Sequence, residues 1–161
     1  APARPGRGRR AVPAAGPGPV EIVPEFGGGI PVASDGERLD RVPLIEKVGA
    51  DNIFIHLDTY HMNIEETDFV TPVQAAGQRL RYLHIGESHR GYLGTGTVDF
   101  DGLFGAVRDI GYSGPITFES FSSAVVHPDL SNTLAVWRNL WNDSQDLAST
   151  AHAFMTERLT P

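Results

Sequence analysis

Residues 52–58 read NIFIHLD, a short apolar run that ends on a carboxylate, and three further short apolar runs occur along the chain. These are VEIVPEF (20–26), LRYLHIG (80–86) and PITFES (115–120). Short apolar runs of this kind are typical of buried strands. The spacing between them, about 30 residues, leaves room for one helix after each strand, which is the repeat of parallel βα units.

The segments between the runs have helical character. Leu39, Val42, Ile45 and Val48 recur at spacings of three and predict a helix over Glu37–Val48 that ends at Gly49. Further helices are predicted over Pro72–Gln78, Phe100–Ile110 and, as one helix or a pair, Leu134–Leu159. The chain is therefore predicted to be α/β, with four parallel βα units over residues 20–161.

Four such units make half of a (β/α)8 barrel, a fold that takes roughly 250 residues in full, whereas this chain has 161. An open doubly wound sheet is the alternative. It would be expected to carry Gly-x-Gly-x-x-Gly between a strand and a helix, and the cluster Gly27, Gly28 and Gly29 lacks that spacing. The half barrel is therefore favoured.

Composition limits the partners and the kind of metal site. The chain has no cysteine, so a metal would have to be held by histidine and carboxylates. Residues 1–19, rich in Pro, Gly, Ala and Arg, are predicted to be disordered. They hold four of the 13 basic residues and no acid, which leaves −11 on the remainder and argues against nucleic acid as a partner. Without a membrane-length apolar run or a secretory signal, a cytoplasmic location is expected.

Each predicted strand ends on a residue that can bind a metal. Because side chains alternate across a strand, each of these residues shares a face with the residue two positions before it, which is Val23, His56, Tyr82 or Thr117. The strand-end residues are Glu25, Asp58, His84 and Glu119. Barrel active sites form at this end of the strands, so the four should converge. Three carboxylates and one imidazole suit Mn²⁺, Mg²⁺ or Co²⁺ better than a structural zinc.

Taken singly, each of these residues has a simpler interpretation as a helix cap, a loop residue or a core histidine. Four at equivalent positions favour a shared site. His56 shares the face of Asp58 one layer deeper and is assigned to the core or to the support of the ligands. His61 and Arg90 follow in the loops, where they would suit a substrate with adjacent hydroxyl and carbonyl oxygens. An ordinary surface arginine is the alternative for Arg90.

Four motifs carry a family resemblance over about residues 44–142. They are DTYHMNIEE (58–66), HIGESHR (84–90), GTGTVDF (94–100) and ITFESF (116–121). Together they closely resemble the D-tagatose and D-psicose 3-epimerases, members of the xylose isomerase-like barrel superfamily. The resemblance implies the C-terminal half of a (β/α)8 barrel. It also implies a divalent metal, Mn²⁺ before Mg²⁺ or Co²⁺, and a free ketose as substrate.

The resemblance also implies residue roles. Glu25, Asp58, His84 and Glu119 would hold the metal, and Glu25 and Glu119 would be the two catalytic glutamates that invert C3 through a cis-enediolate. His61 and Arg90 would bind substrate. Glu21 competes with Glu25 for its role, since it shares the strand face. Residues 26–31, FGGGIP, lack a second glutamate that the family places after this position.

Two other functions stay open. Without the first four strands, the chain could be a catalytically inactive half-barrel that binds metal or a partner. A metal-dependent endonuclease of the same superfamily would need more histidines and a basic surface. Because half a barrel exposes edge strands and an apolar face, a homo-oligomer is expected. No membrane partner is expected.

Overall fold

The computed structural model describes residues 20–22, 47–49 and 51–160. The disorder predicted for residues 1–19, the residue Glu25 and most of the helix predicted over Glu37–Val48 lie outside the described residues. The end of that helix is described. Lys47 and Val48 are helical, and Gly49 follows in a turn with φ of 67°, a left-handed conformation that favours glycine.

The four described strands form one sheet. They are β1 (Val20–Ile22), β2 (Ile53–Asp58), β3 (Leu80–Ile85) and β4 (Ile116–Phe118). Their order in the sheet is the order in the chain, and every neighbouring pair is parallel. A doubly wound sheet reverses its strand order at a switch point, whereas a barrel adds each strand beside the last. The described strands follow the barrel pattern, so the predicted fold class is confirmed.

Five α-helices are described. They are α1 (Thr59–Glu65), α2 (Thr71–Ala76), α3 (Phe100–Asp109), α4 (Pro128–Thr133) and α5 (Ser144–Leu159). A 3₁₀ turn, Gly77–Arg79, extends α2 to the start of β3. The predictions for α2 and α3 agree with these bounds within two residues. No helix within these described residues is long and apolar enough to cross a bilayer.

The prediction of a helix or helix pair from Leu134 to Leu159 is wrong in its first ten residues. Ala135 adopts φ of 54°, a left-handed conformation that a continuous helix does not contain. The helix α5 begins only after Asp143, whose side chain accepts hydrogen bonds from the amides of Gln145 (2.8 Å) and Asp146 (3.1 Å). Residues 134–143 therefore form an irregular segment between α4 and α5.

The core lies between the sheet and its helices. Alternation along β2 and β3 turns Leu57, Leu83 and Ile85 toward the helices, where they are 0–2% exposed. The apolar stripe of α3 meets them with Leu103 and Phe104. Beyond the register shift at Ile55 and His56, the opposite face carries His56, Asp58, Tyr82 and His84, which include every candidate ligand on these two strands.

Candidate metal and substrate site

Strand register brings the candidate ligands level with one another. Asp58 pairs with His84, and His84 pairs with Thr117 on β4. Glu119 follows two residues later, and its amide donates to the carbonyl of Ile85 at 2.9 Å. As a result Asp58, His84 and Glu119 each offer a ligand atom, and these atoms lie within 4.8 Å of one another.

The carboxylate of Asp58 serves two purposes. One oxygen, Oδ1, caps α1 by accepting from the amides of Tyr60 (2.8 Å) and His61 (3.3 Å). The other, Oδ2, lies 3.4 Å from Nδ1 of His84. The cap fixes the rotamer of a side chain that is only 9% exposed. The interpretation as a helix cap and the interpretation as a ligand are thus compatible in this residue.

Two aromatic side chains of the sheet pack against the ring of His84. The ring of His56 packs edge-on against it with centroids 4.3 Å apart, and that of Tyr82 lies 4.9 Å away. Tyr82 is itself fixed by a 2.6 Å hydrogen bond between its hydroxyl and that of Thr117. His56 is 4% exposed, which agrees with its assignment to the layer beneath the ligands.

Arg90 is a buried residue of the site. It is 6% exposed, and its Nη1 lies 3.2 Å from Oε2 of Glu119. Its guanidinium stacks over the ring of Tyr60 at 3.7 Å and faces that of Phe121 at 4.9 Å. The interpretation of Arg90 as an ordinary surface arginine is therefore wrong. A cation enclosed between two rings is held in one orientation and aimed at the carboxylate.

His61 adjoins the cluster through the first turn of α1. It is half-buried, and its ring packs edge-on against Tyr60 with centroids 5.4 Å apart. Its Nδ1 is buried and has no hydrogen-bond partner among the residues that the structure describes. The structure thus gathers Asp58, His84, Glu119 and Arg90, with His61 beside them.

Two residues that hold this site together had no role in the sequence analysis. Thr59 is fully buried, and its hydroxyl donates to the carbonyl of Gly86 (2.6 Å) and accepts from the amide of the same residue (2.7 Å). Glu87 is also fully buried and binds the loop that follows β3. An acid inside HIGESHRG, directly after a buried strand, is the signal that could have identified Glu87.

The described donor set fits a hard divalent cation. Carboxylate oxygens with one imidazole are the ligands that Mn²⁺ and similar ions accept, and adjacent ligands of such an ion lie about 3 Å apart. The 3.4 Å between Asp58 and His84 is close to that spacing. Glu119 keeps its second oxygen available, since only Oε2 meets Arg90. The site thus combines a candidate cation position with an adjacent carboxylate.

The family model for the xylose isomerase-like TIM barrel matches residues 20–154. The chain belongs to this family. The match includes all four strands and the three clustered candidate ligands, and it extends beyond the resemblance predicted over residues 44–142 on both sides.

Relatives in the family are ketose 3-epimerases, as the resemblance predicted. An L-ribulose 3-epimerase from a Methylomonas species is 61% identical over 120 residues, which are 74% of this chain and 42% of the relative. A D-psicose 3-epimerase from Enterocloster bolteae is 33% identical over 68% of this chain and 36% of its own length. The chain therefore spans about 40% of the length of the relatives it matches.

Solved structures agree with the sequence comparison. The crystal structure of a Methylomonas D-allulose 3-epimerase in complex with D-allulose is 63% identical, with a TM-score of 0.68 over 71% of this chain and 40% of the other. A D-psicose 3-epimerase crystallised in the presence of D-fructose is 33% identical, with a TM-score of 0.66. The partial barrel described above is therefore a fold that these enzymes share.

Proposed function

We propose that this chain supplies the metal- and substrate-binding half of a ketose 3-epimerase. The observation that carries the proposal is the convergence of Asp58, His84 and Glu119 at the carboxyl ends of three parallel strands. The high identity to named ketose 3-epimerases supports the same reaction class. The substrate class proposed is a free ketose.

The roles follow from the chemistry of each group. Asp58, His84 and Glu119 would hold a divalent cation, Mn²⁺ before Mg²⁺ or Co²⁺. Glu25 would complete the set. Glu21, the alternative to Glu25, pairs with Phe54, four residues before Asp58 along β2, and this disfavours Glu21. Arg90 and His61 would bind the oxygen atoms of the substrate.

Inversion at C3 needs a proton removed from one face of the sugar and returned to the other. Glu119 is proposed for one of these transfers, and the 3.2 Å ion pair between its Oε2 and Nη1 of Arg90, which orients the carboxylate, supports this role. Glu25 is proposed for the opposite face. A bound cation would supply positive charge near the carbonyl and hydroxyl oxygens and so make the C3 proton more acidic. Arg90 would orient the sugar while its guanidinium carbon stays over the Tyr60 ring, 3.7 Å from the ring centroid.

A second candidate is a half-barrel that binds the cation without turnover. The sequence FGGGIP at residues 26–31 favours it, because a substrate-contacting glutamate of the family is missing there. The endonuclease alternative is disfavoured by the charge of −11 beyond the first 20 residues, which repels phosphates. A homo-oligomer and a cytoplasmic location stay predictions.

One experiment separates these candidates. The purified chain is incubated with D-fructose or D-tagatose, with Mn²⁺ or after chelation, and the sugars are separated by chromatography. Metal-dependent D-psicose or D-sorbose is expected, and Glu119→Gln should abolish it, whereas Glu157→Gln, at a carboxylate that is 82% exposed, should not. Mn²⁺ binding by calorimetry without turnover would support the inactive half-barrel. The absence of both Mn²⁺ binding and turnover would refute the proposed site.

A further inference from the structure

Glu87 is a fully buried carboxylate whose hydrogen bonds all go to the backbone of its own loop in the described structure. Its Oε1 accepts from the amides of Ser88 (2.8 Å) and Val98 (3.3 Å), and its Oε2 accepts from the amide of Gly94 (2.8 Å). A buried carboxylate is costly unless such donors satisfy it. Residues 88–98 are therefore folded around one anion.

The loop packs tightly against the carboxylate of Glu87. A Cβ placed on Gly96 would collide with Oε1 of Glu87 and with the hydroxyl of Ser88. That hydroxyl also accepts from the amide of Thr97 at 3.0 Å. The turn at Gly96 is thus pressed directly against the carboxylate, and its path depends on where the two oxygens lie.

The same loop carries Arg90. The amide of Arg90 donates to the carbonyl of Glu87 at 2.8 Å, and its φ of 63° places it in a left-handed conformation that only surrounding contacts can maintain. Its own carbonyl accepts from the hydroxyl of Ser120 and, at 3.2 Å, from the amide of Phe121. The backbone of Arg90 is therefore held on one side by Glu87 and on the other by the segment after β4.

We propose that Glu87 is a positioning residue, whose carboxylate folds the 88–98 loop so that the guanidinium of Arg90 is fixed between Tyr60 and Glu119. The consequence that Arg90 binds the sugar rests on the proposed function. The structural part of the inference stands independently of turnover. Glu87 itself is bound by the loop and acts through Arg90.

The substitution that tests the charge is Glu87→Gln, which conserves size. Three N–H groups point at two carboxylate oxygens, and an amide offers one oxygen and an NH₂ that can only donate. At least one loop N–H would then face another donor. The matched control is Asp68→Asn, since Asp68 accepts from the amides of Val70 (2.7 Å) and Thr71 (2.6 Å) in an exposed turn unconnected to Arg90.

Trp141 provides a readout that does not depend on activity. Its indole Nε1 donates to Oγ of Ser120 at 2.8 Å, and that hydroxyl donates to the carbonyl of Arg90. The chain has two tryptophans, and Trp137 is 79% exposed, so Trp137→Phe leaves a single indole reporter. In this background Glu87→Gln should shift the indole ¹H–¹⁵N signal of Trp141, and Asp68→Asn should leave it in place. An unchanged signal in a folded Glu87→Gln protein would overturn the inference.

The link through Arg90 is tested by a double-mutant cycle on sugar binding with Mn²⁺ present. Glu87→Gln should weaken D-fructose binding about tenfold when Arg90 is intact, and by less than about twofold in the Arg90→Ala background. An equal loss in both backgrounds would refute action through Arg90. Absence of D-fructose binding by the unsubstituted chain would count against the proposed function and leave the Trp141 result as the test of Glu87.

Hydrogen exchange in the unsubstituted protein covers the case in which Glu87→Gln does not fold. If one anion organises the loop, the amides of Ser88, Arg90, Gly94 and Val98 should open together and exchange with similar protection factors. Exchange of the Arg90 amide more than tenfold faster than the three amides bound to the carboxylate would show that Glu87 does not hold Arg90.

Discussion

The hydroxyl of Thr59 is the most direct connection between two elements of the site, and removing it gives a sharp test. Thr59 opens α1, directly after Asp58, whereas Gly86 follows β3 two residues after His84. The hydroxyl bonds both the carbonyl and the amide of Gly86, at 2.6 and 2.7 Å. Thr59→Val replaces the hydroxyl by a methyl group of similar size, so no cavity is created, but a methyl carbon must move away from two atoms that lie 2.6 and 2.7 Å from the hydroxyl oxygen.

The expected magnitude follows from what the substitution leaves behind. Thr59 is fully buried and Gly86 is buried, so water cannot readily replace the lost partner. Each buried polar group left without its hydrogen bond costs about 1–3 kcal/mol. Two such groups, the amide and the carbonyl of Gly86, give a loss of roughly 2–6 kcal/mol in the free energy of unfolding. For a chain of this size, that lowers Tm by roughly 4–24 °C.

Urea unfolding followed by circular dichroism measures this loss, and two variants control it. Thr59→Ser keeps the hydroxyl and removes one methyl, so it should cost about 1 kcal/mol. Thr133→Val removes a hydroxyl of exposed α4 that bonds the carbonyl of Asp129 at 2.7 Å, and should change stability by less than about 0.5 kcal/mol. The reasoning is refuted if Thr59→Val unfolds within about 0.5 kcal/mol of the unsubstituted protein, or if Thr59→Ser is equally damaging.

Three further outcomes follow from single contacts. Gly94→Ala should destabilise by roughly 1–3 kcal/mol, because Gly94 has φ of 77° and a Cβ there would lie 2.7 Å from Cε2 of Phe154. Gly105→Ala, inside α3 with nothing within 4 Å of the new methyl, should instead stabilise by about 0.5–1 kcal/mol, and thermal unfolding of the pair checks both signs. The hydrogen bond from Tyr92 to Asp146 raises the pKa of the Tyr92 phenol above its ordinary value of 10.0. Because the pKa of Tyr92 is higher in the folded state, the contribution of this hydrogen bond to stability is complete below pH 10.0. It is lost as the pH rises through the folded-state pKa. The difference in the free energy of unfolding between the unsubstituted protein and Tyr92→Phe should therefore shrink when urea unfolding is repeated at increasing alkaline pH. A difference that stays constant with pH would contradict this prediction.

The strands and most helices could be predicted because their signals are local. Apolar runs at intervals of about 30 residues, and the stripe that begins with Leu103 and Phe104 in α3, both follow from burial of one face. The helix α1 was missed because only Thr59 and Met62 of its seven residues are buried, so DTYHMNIEE lacks an apolar stripe. Its real signal is Asp58, a cap that fixes the first turn.

The start of α5 was misplaced for the opposite reason. Residues 134–141 contain Leu134, Val136, Trp137 and Trp141, and apolar residues so close together resemble a helical stripe. Their burial does not follow a helix, since Val136 is 6% and Trp137 is 79% exposed. The segment is held by side-chain bonds instead, including one of 2.8 Å from Ser122 to the carbonyl of Trp141. The conformation of such a segment is determined by contacts between residues far apart in sequence, and the periodicity of apolar residues does not reveal these contacts.

The candidate ligands could be proposed from sequence because two geometric rules suffice for them. Alternation chooses the face, and parallel pairing brings Asp58, His84 and Thr117 level. Neither rule reaches Arg90, whose partner Glu119 lies 29 residues away and whose left-handed backbone depends on the loop around Glu87. The position of the candidate ligands at the strand ends is thus set by the sheet, whereas in our proposal the position of the Arg90 guanidinium beside them is set by the buried carboxylate of Glu87. Substitutions in that loop should therefore change sugar binding before they change metal binding, and calorimetry of both ligands on Glu87→Gln can separate the two.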